Sequence, residues 1–245
     1  MRAEDRTLFP LVVVADCWLQ RLLIWTPGQT DLIKTVALLL MVADHISLVS
    51  GLDCAGLRLA GRGAFPLFGL VWAMNLARYP CIRQRSLNRL WGWAVVAQGG
   101  WILAGLRPDM GNILFAFAVT GQAVKLIQTH GPSVWPLSLA LVLGWLPFSD
   151  GSYGLAGVMM LLLAYGVFMS ARRTTRTGLA GCLALTVLAL NVADGTAFAV
   201  AGLIIPGLTL TVLSRTCRLV PRFWPREFFP LFYAVHLAVL GLVAM

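Results

Sequence analysis

The sequence predicts an all-α fold: a polytopic integral-membrane helix bundle of about nine transmembrane helices with an N-terminal interfacial helix. Three observations predict it. The 245 residues are 59% hydrophobic and only 12% charged, with a mean hydropathy of +0.81, whereas soluble domains carry about a quarter charged residues. Apolar runs recur that are long enough to cross a bilayer core at roughly 20 residues each. The loops between them alternate in charge, as the positive-inside rule requires.

The first 30 residues read as a cytoplasmic N-terminus with an amphipathic helix lying on the membrane. Leu11, Val14, Trp18, Leu22 and Trp25 recur at helical spacing, while Asp16 and Arg21 interrupt any span. No small-residue cleavage site follows, so a signal peptide is not expected. After the Thr26-Pro27-Gly28 break, residues 31–245 form a transmembrane acyltransferase-like domain, in terms that the resemblance below supplies. Its spans are predicted near 31–49, 60–77, 89–106, 111–128, 134–149, 153–170, 179–193, 196–213 and 229–245, separated by Gly, Pro, Ser and Asp.

One set of connections holds Arg78, Arg83, Arg85 and Arg89, then Lys125 and His130, then Arg172, Arg173 and Arg176, then Arg215, Arg218, Arg222 and Arg226. The alternate set holds Asp53 with Arg58, Arg107 with Asp109, Asp150, and Asp194. With Arg2, Arg6 and Arg21 ahead of the first span, the pattern places the N-terminus in the cytoplasm and the C-terminus outside. It also accounts for the net charge of +9 without nucleic acid. Five scattered cysteines and three distant histidines show neither a disulfide framework nor metal-ligand spacing, so no metal is expected.

The first span carries the most informative polar residues. Lys34, Asp44 and His45 lie inside an apolar run, where an ionisable group costs about 2.5–3.5 kcal/mol and is retained chiefly for function. Lys34 and His45 stand about three helical turns apart on one face, roughly 16 Å along the axis. His45 is a candidate general base and Asp44 its neighbour. Arg62, between two glycines, either holds an anionic or carbonyl group or pairs with Asp44. Tyr233 and His236 share a face of the last span, as a relay, an acceptor-binding pair or packing residues. Asn112 reads as a helix cap or as a donor to a reacting carbonyl. Gln98 and Asn191 read as links between helices. Arg83, Arg85, Arg89, Arg222 and Arg226 are best placed to meet phosphates of a cytoplasmic cofactor, although orientation alone accounts for them.

Six strings, TPGQTDLIKTVALLLMVADHI, LAGRGAFPLFGLVWAMNLAR, NRLWGW, GNILFAFAV, SYGLAGVMML and PRFWPREFFPLFYAVHLAVLG, closely resemble the TraX family of conjugal-transfer pilin N-acetyltransferases. The resemblance runs from about Trp18 to the C-terminus and is weakest over 129–149. It implies transfer of acetyl from acetyl-CoA to the α-amine of processed F-type pilin at the bacterial inner membrane. More distantly, Lys34 and His45 look like the basic-residue-x10-His motif of transmembrane acyltransferases, with Lys where that superfamily typically has Arg. The resemblance thus casts His45 as catalytic, with Asp44 positioning it, Arg62 or Asn112 at the oxyanion, and Lys34 with the arginines on CoA. An acetyl-His intermediate is the alternative route. Competing functions are O-acetylation of an envelope glycan and proton-coupled transport by Asp44, His45 and His236, the latter disfavoured because no repeats with interrupted helices are evident.

Overall fold

The structure, a computed structural model, describes residues 10–49, 54–217, 219–225 and 227–244. Arg2, Arg6, Asp53, Arg218 and the predicted phosphate contact Arg226 lie outside them. The described chain is all-α: α1 (Pro10–Leu23), α2 (Pro27–Val49), α3 (Ala55–Gly61), α4 (Ala64–Ala77), α5 (Gln84–Leu103), α6 (Ile113–His130), α7 (Trp135–Trp145), α8 (Gly154–Met169), α9 (Arg173–Ala189), α10 (Thr196–Arg215) and α11 (Phe228–Ala244), joined by short loops and 3-10 turns. Among the described residues, four segments are long and apolar enough to cross a membrane: Pro27–Val49, Asp150–Met169, Arg173–Asp194 and Thr196–Arg215. Pro132–Phe148 and Phe228–Val243 are shorter apolar helices.

Local sequence sets the helix ends. Pro10 and Pro27 open α1 and α2, where a missing N–H costs nothing. At α2, Thr26 and Gln29 form a reciprocal cap: Gln29 N–H donates to Thr26 Oγ1 (3.2 Å) and Thr26 N–H donates to Gln29 Oε1 (2.9 Å). The segment predicted as one span over 60–77 is broken instead into α3 and α4 at Arg62-Gly63. Pro66 has no N–H to give the Arg62 carbonyl, so the helical ladder cannot run through that point. The 14 residues of α4 extend only about 21 Å.

α2 runs through the middle of the bundle, packed against α3, α4, α10 and α11. One core cluster gathers Ile33, Ala37, Leu67, Leu70 and Leu210, and another gathers Met41, Ala97, Trp101, Tyr233 and Leu237. α5 and α11 make the closest pairing, because a Cβ on Gly100 would collide with the Ala234 carbonyl and one on Gly241 with that of Leu103. Leu39, Val95, Leu185, Leu208 and Val235 are exposed, as expected of helices that face hydrocarbon on one side.

α1 turns its polar side inward. Asp16 is buried and receives two hydrogen bonds from Arg176 of α9, at 2.7 and 2.9 Å, and one from Gln20. The Arg176 hydrogen bonds, with Arg173 nearby, hold its carboxyl below the usual range despite burial. Of the apolar stripe read from the sequence, Leu11, Val14 and Trp18 are exposed, whereas Leu22 and Trp25 are buried in the core cluster with Ile33 and Leu70.

Candidate functional site

Two groups of polar side chains occupy opposite ends of α2. At its N-terminal end Gln29 donates to the Leu213 and Thr216 carbonyls at 2.6 and 2.9 Å, tying down the end of α10. Asp31 accepts from the backbone N–H groups of Phe223 and Trp224 and from Lys34 Nζ, at 3.0, 3.1 and 2.8 Å. Lys34 also lies 4.7 Å over the Phe229 ring. These residues pin the segment between α10 and α11 onto α2, and Lys34 is committed to that clamp.

The C-terminal part of α2 presents Met41, Asp44, His45 and Leu48, spaced to share one helical face, to a cavity of about 420 Å³. Opposite them stand Arg58 from α3, Arg62 at the α3–α4 break, Phe65 and Phe68 from α4, Trp101, the loop bearing Arg107, the turn from Asp150 to Tyr153, and Tyr233. Arg58, Arg107 and Asp150 all belong to the loops poor in net positive charge, so the cavity opens at the end away from the arginine-rich connections.

Gly61 makes the arginine placement possible. A Cβ there would stand 2.8 Å from the Asp44 carboxylate, so only glycine lets α3 lie this close to α2. Arg62 Nη2 is then 3.8 Å from Asp44 Oδ1 and Nη1 is 3.3 Å from Asp194 Oδ2. Arg58 lies 3.9 Å from the other Asp194 oxygen, and both guanidinium groups stand near the Phe198 ring. These pairs are long for charge-assisted hydrogen bonds, which run about 2.7–2.9 Å. The Arg62 Nε–H is buried with no hydrogen-bond partner among the described residues. Arg62 also comes within hydrogen-bonding reach of the Tyr153 hydroxyl. Tyr153 adopts a left-handed φ of 65° at the start of α8 and stacks on Phe65 at 4.8 Å. One cation thus serves three neighbours, and holds the two carboxylates only at 3.3 and 3.8 Å.

His45 is 9% exposed, and that exposure is toward the cavity. Its Nδ1 lies 2.7 Å from Nε2 of His236 on α11, the two rings near parallel at 14° with centroids 5.0 Å apart, so that they meet edge to edge. The other His236 nitrogen, Nδ1, is 3.0 Å from the Phe232 carbonyl one turn earlier. Tyr233 lines the cavity beside His45, whereas His236 stands behind it.

The remaining predicted site residues separate in space. Asn112 is a cap, its Oδ1 accepting from Leu114 N–H and its Nδ2 donating to Ala94 and Gln98, so no part of it faces the cavity. Arg89 is paired with Glu227 at 2.6 Å, and Trp93 donates to the same carboxylate. Arg83 lies over Tyr79, and Arg85 and Arg222 are exposed on the same end. Among the described residues, no three His, Cys, Asp or Glu side chains gather to hold a metal. Tyr153, Arg58, Arg107, Asp150 and Asp194 were not legible as site residues from sequence. The available signal was that Asp150 and Asp194 are lone carboxylates in otherwise uncharged connections.

Comparison with known proteins places the chain. The family model described as TraX protein matches residues 29–244. Protein TraX of Escherichia coli is 49% identical over 237 residues, covering 96% of this chain and 95% of that protein, and Protein TraX of E. coli strain K12 matches to the same extent. A probable fimbrial assembly protein FimC, serogroup H1, of Dichelobacter nodosus is 29% identical, covering 85% of this chain and 92% of its own length. No solved structure matches. The chain belongs to the TraX family.

Proposed function

With TraX membership as the premise, we propose that this protein is a membrane acetyltransferase. It moves acetyl from cytoplasmic acetyl-CoA to the N-terminal α-amine of processed F-type pilin, with His45 as general base. The observation that carries the reading is His45 on the wall of a cavity that also holds the half-satisfied Arg62 and the carboxylate of Asp44. Pockets for small ligands run from about 300 to 1,000 Å³, so this cavity suits the reacting end of a donor and an amine rather than a whole CoA.

Acetyl-CoA supplies an activated thioester. Asp44 offers a carboxylate to the incoming ammonium. An α-amine has a pKa near 7.7–8.0, so little energy is needed to free its lone pair at neutral pH. His45 takes the amine proton as the C–N bond forms and the C–S bond breaks, and returns it to the departing thiolate. The Arg62 guanidinium, on the cavity wall, meets the negative charge that develops on the carbonyl oxygen. Asn112, fully engaged in capping α6, takes no part in this scheme.

The same reading sets nine spans over residues 31–245, α3 and α4 counting as one broken crossing, with residues 1–30 on the cytoplasmic surface and the C-terminus periplasmic. The exposed Arg85 and Arg222 meet the CoA phosphates at the cytoplasmic end, while Lys34 and Arg89 keep to their carboxylates. The test is acetyl transfer from labelled acetyl-CoA to a pilin N-terminal peptide by purified protein in lipid, read by mass spectrometry, for wild type and His45→Ala. Loss in the variant, with fold retained, supports the base. Full activity in His45→Ala removes it, and a wild type that labels a glycan hydroxyl but not the peptide moves the acceptor to an envelope polysaccharide.

A further inference from the structure

The histidine pair carries information beyond proximity, because its two contacts fix where the protons sit. A carbonyl oxygen can only accept, so the His236 nitrogen at 3.0 Å from the Phe232 carbonyl must carry a hydrogen. A neutral His236 then has a bare Nε2, which can only accept. The His45 nitrogen 2.7 Å away must therefore be the donor, and the His45 proton is held on Nδ1. The remaining His45 nitrogen, Nε2, is left as a lone pair. This is the less common tautomer of a free neutral imidazole, and a partner is required to hold it.

We infer that His236 is the positioning residue of the site: it fixes His45 as the Nδ1–H tautomer through the chain His45 Nδ1–H to His236 Nε2 and His236 Nδ1–H to the Phe232 carbonyl. Its role is that of the orienting group in a nucleophile-base-orienter array, supplied here by a neutral imidazole rather than a carboxylate. Phe232, its ring near parallel to that of His236 at 5.4 Å, holds the His236 plane, and the edge-to-edge contact aligns His45 with it at 14°. His236 does not border the main cavity but an apolar groove formed with Val42, Val235 and Val239. It therefore does not touch substrate, and its hydrogen-bond chain ends at a backbone carbonyl, so it carries no proton onward.

The inference rests on the reading of His45 as base, yet it has a readout that needs no activity. The chain has three histidines, so nitrogen-15 labelling of histidine gives a spectrum that His45→Gln and His130→Gln variants assign. The expected result is His45 with Nδ1 protonated and Nε2 bare in the wild type. In His236→Ala the His45 signal shifts toward the Nε2–H form. Glutamine can accept from His45 with its carbonyl and donate to Phe232 with its amide, but cannot relay a proton. His236→Gln should then restore the tautomer and most of the turnover. His236→Ala should lower kcat on the order of ten- to a hundredfold with KM for acetyl-CoA little changed. A wild-type His45 bare at Nδ1 overturns the inference, as does a folded His236→Gln as inactive as His236→Ala. If His45→Ala is active while the tautomer is as expected, the base reading fails and the positioning geometry stands.

Discussion

The two ends of α2 put similar residues to opposite use. At the N-terminal end Gln29, Asp31 and Lys34 are buried or half-buried, and their polar atoms are engaged by partners at 2.6–3.1 Å. Toward the C-terminal end Asp44 and Arg62 meet at 3.8 Å, Arg62 Nε has no partner among the described residues, and His45 lines the cavity. A buried polar group left unmet costs about 1–3 kcal/mol, more when charged. The saturated cluster supports the fold, whereas the loosely paired one leaves polar groups open to further bonding, which is what the proposed function uses.

His45→Ala tests the open end most severely: acetyl transfer should fall about 10²- to 10⁴-fold with unchanged helical content and melting temperature. Next comes Arg62→Gln, which keeps a donor but removes the charge. Turnover should drop about 10²- to 10³-fold with a smaller change in KM, measured by steady-state kinetics in lipid. An Arg62→Gln enzyme with unaltered kcat would make the Asp44–Arg62–Asp194 cluster another saturated one, and the contrast would disappear.

The closed end should respond in stability instead. Asp31→Ala strands Lys34 and two backbone N–H groups, and the expected loss is about 3–5 kcal/mol in denaturant unfolding. The surviving folded fraction should keep its KM for acetyl-CoA. A large rise in KM without destabilisation would return Lys34 to the donor site. Asp16→Asn at the α1–α9 junction gives a smaller, pH-dependent effect. The folded carboxyl titrates below its ordinary value of 3.8, so its contribution is complete above that value and disappears as pH falls through the folded pKa. The stability gap between wild type and Asp16→Asn should therefore be widest at neutral pH and close in acid. Smallest of all is Arg89→Ala. Its pair with Glu227 is about half exposed on both sides, and exposed pairs contribute under about 1 kcal/mol.

Each predicted span corresponds to helical structure, because hydrophobic runs and Gly, Pro and Asp punctuation act locally. The exception is instructive: 60–77 reads as one apolar run, yet Gly61, Gly63 and Pro66 already contain the break that separates α3 from α4. His45 and Asp44 stood out in the sequence because they are expensive where they stand, and both line the cavity; the same cost singled out Lys34, which pairs with Asp31 instead. Cost alone does not say whether a partner has been found. Asn112 shows the same limit, since a cap and an oxyanion donor are the same residue type until its hydrogen bonds are counted.

By itself the sequence determined the all-α membrane character, the order of the helices, the loop charge alternation and the family, all properties carried by composition and near-neighbour pattern. Tertiary structure alone decided that His45 meets His236 across 191 positions of chain, that Asp194 reaches Arg62, and that Lys34 closes a clamp. The physical reason is that a hydrogen bond depends on tenths of an ångström and on the facing angle of two helices. Helix rotation and depth are set by packing, here by the glycines that bring α3 onto α2 and α5 onto α11, and no single helix encodes where its partner will stand.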